Sequence, residues 1–348
     1  MRSTWAVTAL VGLVTAAAAV AHFADAPSLL TFGLATLALA GLAWLVSFAT
    51  EQVGERFGPA VTGVLQSTLG NLPEFFIVVF ALSAGELVVA RTSIIGSILA
   101  NALFVLGLVI LSGSFQSSDG VMRFHPRLAK DNATLMMLAS FLIVILGLSA
   151  ATGDKASHHV KAISIVGALA LLVTYCVWLV DYIRADVKPD VVHAEPRISL
   201  TVALGLLAVA GVGAAFVSDW FIDALSPAMK QIGVPKAFAG LVIVAIAGNA
   251  VENTTGIVLA LKGQPDLAVS VVKNSVAQIT AFLFPALVLV SLLFETQLTF
   301  AMAPVYIGAL ALTAISLWQI TGDGEATRFE GVALIALYVI LAVLTFYE

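Results

Sequence analysis

Apolar runs of about twenty residues, separated by short polar connectors, recur from one end of this chain to the other, and nothing else in it limits the fold as strongly. A helix of that length crosses the hydrocarbon of a bilayer, where backbone N–H and C=O groups must find partners without water. Composition agrees. Only 11% of the 348 residues are charged and 60% are hydrophobic, whereas soluble domains carry roughly 25% charge. Too few charges remain to cover a water-soluble surface or to keep a chain disordered. A transmembrane β-barrel would alternate polar and apolar residues in short segments, which these long runs do not. The net charge of −5 removes any electrostatic case for a nucleic-acid partner. The single cysteine, Cys176, rules out disulfides and thiolate metal sites within one chain.

The runs predict an all-α polytopic membrane protein with eleven transmembrane helices, near 5–23, 29–50, 58–85, 92–112, 132–151, 160–183, 197–217, 235–262, 267–294, 298–320 and 328–347. The first run also fits a signal peptide, whose removal would leave ten spans. With the N-terminus inside, ten Lys/Arg fall on inner segments and five (Arg91, Lys155, Lys161, Lys230 and Lys236) on outer ones, with Lys273 inside a span. That excess predicts a cytoplasmic N-terminus and an external C-terminus. Short loops and the lack of a long N-terminal tail point to a bacterial inner membrane.

A pentapeptide repeats. GNLPE at 70–74 returns as GNAVE at 248–252, and GSILAN at 96–101 faces KNSVAQ at 273–278, which sets Asn101 opposite Gln278. The two glutamates lie five spans apart, on the third and eighth. An odd count reverses chain direction, so the halves are inverted across the membrane plane. Inverted repeats with interrupted helices and a midplane site are an architecture of secondary transporters.

Of 21 acidic residues, only Glu74 and Glu252 sit deep inside predicted spans. An ionised side chain there costs at least about 2.5–3.5 kcal/mol, and two such costs at matching places call for a role. A protonated structural glutamate, bonded to a neighbouring helix, is the plainer alternative. Gly70, Pro73 and Gly248 loosen the helices beside the acids and free carbonyls where they line a cavity. Two carboxylates with the side-chain oxygens of Asn71, Asn249, Asn101 and Gln278 suit a hard dication such as Ca²⁺, which takes about 6–8 oxygens; no imidazole or thiolate cluster invites a softer metal. Desolvation and mutual repulsion favour the neutral form of two close carboxyls, which titrate as a coupled pair. Protons and a dication therefore compete for one site, and alternating access turns that competition into antiport.

The stretches FATEQVGERFG…GVLQSTLGNLPEFF, GSILANALFVLG and GLVIVAIAGNAVEN…DLAVSVVKNSVAQITAF resemble the two repeats of the cation/proton exchangers in the Ca²⁺/cation antiporter superfamily, over roughly 48–112 and 235–292. The resemblance implies one leading helix (1–24), a first five-helix repeat (25–184), a cytoplasmic linker (185–196) and a second, inverted five-helix repeat (197–348). It also implies H⁺-driven Ca²⁺ export, with Ca²⁺ as cargo and no cofactor. Glu74 and Glu252 would carry ions and protons, lined by Asn71, Asn101, Asn249 and Gln278, with Ser97 and Ser275 nearby.

Three residues depart from that pattern. Asn253 stands where a histidine commonly follows the second glutamate, and Pro73 where a small polar residue is usual. Lys273 replaces an apolar residue. Either it snorkels to the cytoplasmic surface, or it is a permanent cation near Glu252 that alters coupling, selects a monovalent ion or ends transport. Glu51 and Glu55 read best as a solvated interface, and His158 and His159 as a solvated external loop. No nucleotide-binding loop or nucleophile motif appears, so the chain reads as no enzyme. The rival readings are an Na⁺- or K⁺-linked antiporter and a transport-inactive cation-binding scaffold or sensor.

Overall fold

A computed structural model of the protein describes residues 2–54, 56, 69–185 and 196–348. The chain is nearly all helix. In order the elements are α1 (Arg2–Phe23), α2 (Ser28–Gly54), α3 (Leu72–Ser83), α4 (Leu87–Ser114), β1 (Val121–Arg123), α5 (Pro126–Thr152), α6 (Val160–Ala185), α7 (Leu200–Ile232), α8 (Lys236–Gly248), α9 (Ala250–Leu261), α10 (Pro265–Leu293), α11 (Pro304–Thr321), β2 (Glu325–Thr327) and α12 (Arg328–Phe346). Among the described residues nine helices are long and apolar enough to cross a membrane, ten if α8 and α9 count as one broken span. The expected third span, 58–85, is described only from residue 69, where α3 forms a shorter apolar helix.

Local chemistry sets the helix ends. Gly233, at φ +70°, stops α7 in the left-handed conformation that glycine adopts without cost. Pro304 opens α11 at its first turn, where a missing N–H costs nothing. Thr327 and Glu330 form a reciprocal capping box at the start of α12. Two expectations need correction. The span placed at 197–217 belongs to a 33-residue helix that runs on to Ile232 and takes in Asp219 and Asp223. Polar residues mark where a helix meets the interface, not where it ends, because helical hydrogen bonds persist in water. The span placed at 298–320 starts only at Pro304, with extended chain before it.

The helices α2 and α7 pack along their length through alanines, including Ala35, Ala38, Ala210 and Ala214, none with measurable exposure. Small residues let helix backbones approach closely in lipid. The helices α4 and α10 run through the interior, while α1, α7 and α12 turn side chains such as Leu13, Val209 and Ile340 outward as a lipid-facing surface. At one end of the bundle β1 and β2 pair antiparallel, Met122 opposite Ala326, and Arg123 bridges Asp119 (2.7 Å) and Glu325 (3.1 Å). The His125 N–H donates to Asp266 at 2.6 Å, tying the same end to the start of α10.

The interior crossing of α4 with α8 brings the site together. Gly96 faces the backbone of Leu241 so closely that a Cβ has no room, and Gly240 faces Thr92 in the same way. Larger residues at either position would hold the two helices apart.

Candidate functional site

Both Gly-Asn motifs break their helices, and in nearly the same backbone conformation. Asn71 lies at φ −89°, ψ 12° and Asn249 at φ −99°, ψ 13°. Each keeps its carbonyl engaged four residues on, to the N–H of Phe75 (2.9 Å) and of Asn253 (3.0 Å). Around Asn249 the chain axis turns by 57° between α8 and α9. The amide residues on α4 and α10 also have matched surroundings. Asn101 lies in a π-helical segment, Ala100–Val105, and Gln278 immediately precedes another, Ile279–Leu283. Such widened turns free backbone groups and are frequent at functional positions.

Four elements deliver polar side chains to one buried point. Glu74, on the first turn of α3, is 5% exposed. Its Oε1 accepts hydrogen bonds from the Ser97 hydroxyl on α4 and from Asn249 Nδ2, the latter at 2.5 Å. Asn249 Nδ2 also lies 3.0 Å from Ser97 Oγ and 2.9 Å from the carbonyl of Ala245. Asn101 Nδ2 continues the network to Asn249 Oδ1 (3.0 Å) and to Ser275 Oγ on α10 (2.9 Å). Ser97, Asn101, Asn249 and Ser275 are each 2% exposed or less. Asn101 Oδ1 is a buried acceptor with no donor among the described residues. Gly248 makes the approach possible, since a Cβ there would lie 2.9 Å from Glu74 Cγ.

Of the residues singled out in sequence, the structure therefore joins Glu74, Ser97, Asn101, Asn249 and Ser275. Asn71 and Gln278 are buried, at 4% and 8% exposure, and Pro73 is buried beside Glu74. No hydrogen bond links Gln278 to the network among the described residues. Gly70 lies at the break before Asn71. Glu252 occupies the first turn of α9; its side chain lies outside the described residues, as does all of Glu55. Asn253 has a buried Oδ1 with no partner among the described residues.

Lys273 is buried and reaches the last residue of α11. It is 6% exposed, and its ammonium donates to Thr321 Oγ1 at 2.5 Å, whose hydroxyl in turn donates to the Leu317 carbonyl at 2.6 Å. The helix α10 begins at Pro265, and Met136 of α5 with Ala314 and Leu317 of α11 line the space beside the lysine. A cavity of about 20 Å³ remains there, enough for one water. No hydrogen bond or salt bridge among the described residues joins Lys273 to Glu74. The partner Thr321, 48 residues away, carried no signal in sequence.

Comparison with known proteins gives this architecture a family. The family model described as sodium/calcium exchanger protein matches residues 27–182 and 202–347. The chain is 30% identical over 326 residues to a vacuolar calcium ion transporter of Schizosaccharomyces pombe, covering 91% of this chain and 79% of that one. It is also 30% identical to the Ca²⁺/H⁺ antiporter ChaA of Bacillus subtilis over 325 residues, 91% of this chain and 92% of that one. A structure of native YfkE superposes with a TM-score of 0.83 at 27% identity, over 98% of this chain and all of the other. With both halves matched, the chain belongs to the sodium/calcium exchanger protein family.

Proposed function

We propose that the chain is a secondary antiporter exchanging Ca²⁺ for H⁺ by alternating access at a midplane site centred on Glu74 and Glu252. The observation that carries this reading is the setting of Glu74: a carboxyl 5% exposed inside an apolar bundle, held by Asn249 from the other half of the chain. Its ionised form needs a cation in that medium and its neutral form needs a proton. Ca²⁺ favours oxygen ligands, and Asn101 Oδ1 stands beside Glu74's network as an acceptor without a donor among the described residues. Glu252 supplies the second carboxylate, with Asn71, Asn249 and Gln278 as further oxygen donors. The likeness to the Ca²⁺/H⁺ antiporter ChaA, at 30% identity, supports the same cargo.

In this scheme Asn249 and Ser97 hold Glu74 Oε1 in place, and the Gly-Asn breaks give the helices their hinge. Protonation from one side releases Ca²⁺, and Ca²⁺ from the other displaces protons. No bond is made or broken, so the chain is no enzyme and needs no cofactor. The leading helix and the two inverted repeats follow the boundaries given above, as does the linker, of which 186–195 lie outside the described residues. The protein sits in a bacterial inner membrane with the N-terminus cytoplasmic and the C-terminus external, as the Lys/Arg distribution supports.

The test is Ca²⁺ uptake into proteoliposomes driven by an imposed pH gradient. The reading expects uptake that Glu74→Gln and Glu252→Gln each abolish. Uptake that requires Na⁺ or K⁺ would replace H⁺ as the counter-ion, and saturable Ca²⁺ binding with no flux would make the chain a sensor or scaffold.

A further inference from the structure

At the end of the bundle opposite the β1–β2 pair, a pocket of about 380 Å³ opens between the starts of α4, α8 and α11. Its size falls within the range of about 300–1,000 Å³ that small ligands occupy. Arg91, Thr92, Lys236, Tyr306 and Glu348 supply its polar lining. Arg91 lies on the second turn of α4, about 6 Å along the helix axis from its start, a depth near the lipid head groups.

The charges in this pocket are unevenly served. Lys236 is neutralised by Glu86, with Nζ–O distances of 2.6 and 2.8 Å, and Ser226 donates to the same carboxylate at 2.7 Å. Glu348 accepts from the Tyr306 hydroxyl at 2.7 Å. Arg91 has no such match. Among the described residues its Nε is buried without a partner, its guanidinium makes only a long 3.4 Å contact to Thr299 Oγ1, and it forms no salt bridge. A buried guanidinium N–H costs roughly 1–3 kcal/mol or more when left unpaired. The pocket beside it has room for the missing acceptor, and the positive ends of α4 and α11 face the same space.

We propose that this pocket binds a phosphate group, with Arg91 as its principal donor. Phosphate suits a guanidinium because its oxygens accept two parallel N–H bonds at once. The phosphodiester of an anionic phospholipid arrives at this depth without leaving the membrane; free inorganic phosphate presents the same oxygens from water. Glu348 is the pocket's own anion and opposes either one.

The experiment measures binding of phosphatidylglycerol and, separately, of inorganic phosphate to the detergent-solubilised full chain. Native mass spectrometry reads the lipid and calorimetry reads the free ion. Wild type is expected to retain phosphatidylglycerol over phosphatidylcholine, with affinity falling about tenfold or more in Arg91→Gln and partly restored in Arg91→Lys. Glu348→Gln is expected to tighten binding about two- to fivefold by removing the competing carboxylate, a gain that misfolding cannot imitate. The same dependence seen with inorganic phosphate alone assigns the site to the free ion and still supports it. If neither ligand binds, or if Arg91→Gln and Glu348→Gln both leave binding unchanged, the proposal is overturned. Ca²⁺ flux is not the readout, so the result is independent of the transport reading.

Discussion

Asn249 Nδ2 donates to Glu74 Oε1 at 2.5 Å, across 175 residues of sequence. A helix break in one half of the chain thereby fixes the acid at the helix break of the other. The same amide group lies within 3.0 Å of Ser97 Oγ, so Asn249 orients both the carboxylate and the hydroxyl that serves it.

Asn249→Ala should therefore weaken the site without removing its charge. Losing the donor to a buried carboxylate costs about 1–3 kcal/mol, and loss of an orienting neighbour typically lowers metal affinity about 10–100-fold. Ca²⁺ titration and pH-gradient-driven uptake check this. The affinity of Asn249→Asp should differ again, because an added carboxylate in direct contact with Glu74 repels it. Equal affinity in wild type and Asn249→Ala would remove Asn249 from the site.

Gly248→Ala places a methyl 2.9 Å from Glu74 Cγ. Overpacking of this kind costs about 1–3 kcal/mol, and here it also displaces the acid. Uptake should fall and the melting temperature should drop. Gly205→Ala is the matched control, because a Cβ at that position in α7 meets nothing within 4 Å. It should be neutral, or stabilising by up to about 1 kcal/mol.

Lys273→Met keeps the length of the side chain and removes the charge. The ammonium has one hydrogen-bond partner, Thr321, and no acid within salt-bridge distance among the described residues. Replacing such a group by a packed apolar chain should stabilise the fold by about 1–3 kcal/mol. Thermal unfolding reads this, with Thr321→Val shifting the other way because it strips the ammonium of its acceptor. Flux measured at imposed membrane potentials then tests whether the charge sets coupling: an unchanged potential dependence in Lys273→Met would confine the lysine to a structural role.

Glu86 provides a pH test outside the spans. Burial pushes its carboxyl up, but hydrogen bonds from Lys236 and Ser226 and the Lys236 charge outweigh that and hold it below its usual 4.5. A depressed carboxyl stabilises the folded state above its unfolded value and loses that contribution as pH falls through the folded one. Wild type should therefore unfold at a higher temperature than Glu86→Gln near neutral pH. The gap should close as the pH drops below 4.5, the usual value. A gap that persists unchanged in acid would assign the effect to something other than ionisation.

Much of this was legible in the residues because a bilayer makes simple demands. The apolar runs marked their helices, with errors where polarity was taken for an end: Asp219 and Asp223 lie inside α7, and Thr299 to Ala303 precede α11. The repeated Gly-Asn motif located both helix breaks, whose backbone angles at Asn71 and Asn249 agree within ten degrees in φ and one in ψ. Lys273 was legible as an anomaly but not in its placement. Its partner is Thr321, on α11 and 48 residues away, a pairing that only the packing of α10 against α11 creates. Nothing local to Arg91 signalled that α8 and α11 would leave a pocket beside it.

By itself, the amino-acid order determined that this chain lives in a membrane and which polar residues stand out of place among its apolar segments. Those properties depend on neighbours along the chain and on the energy of moving a segment out of water. Tertiary structure alone decided which of the misplaced groups meet. Asn249 reaches Glu74 because the close approaches at Gly96, Gly240 and Gly248 leave room for short side chains to touch, while Asn101 reaches Ser275 and Lys273 reaches Thr321 across other helix contacts. A crossing is set by the fit of whole helix faces, and no stretch of sequence read alone contains both surfaces.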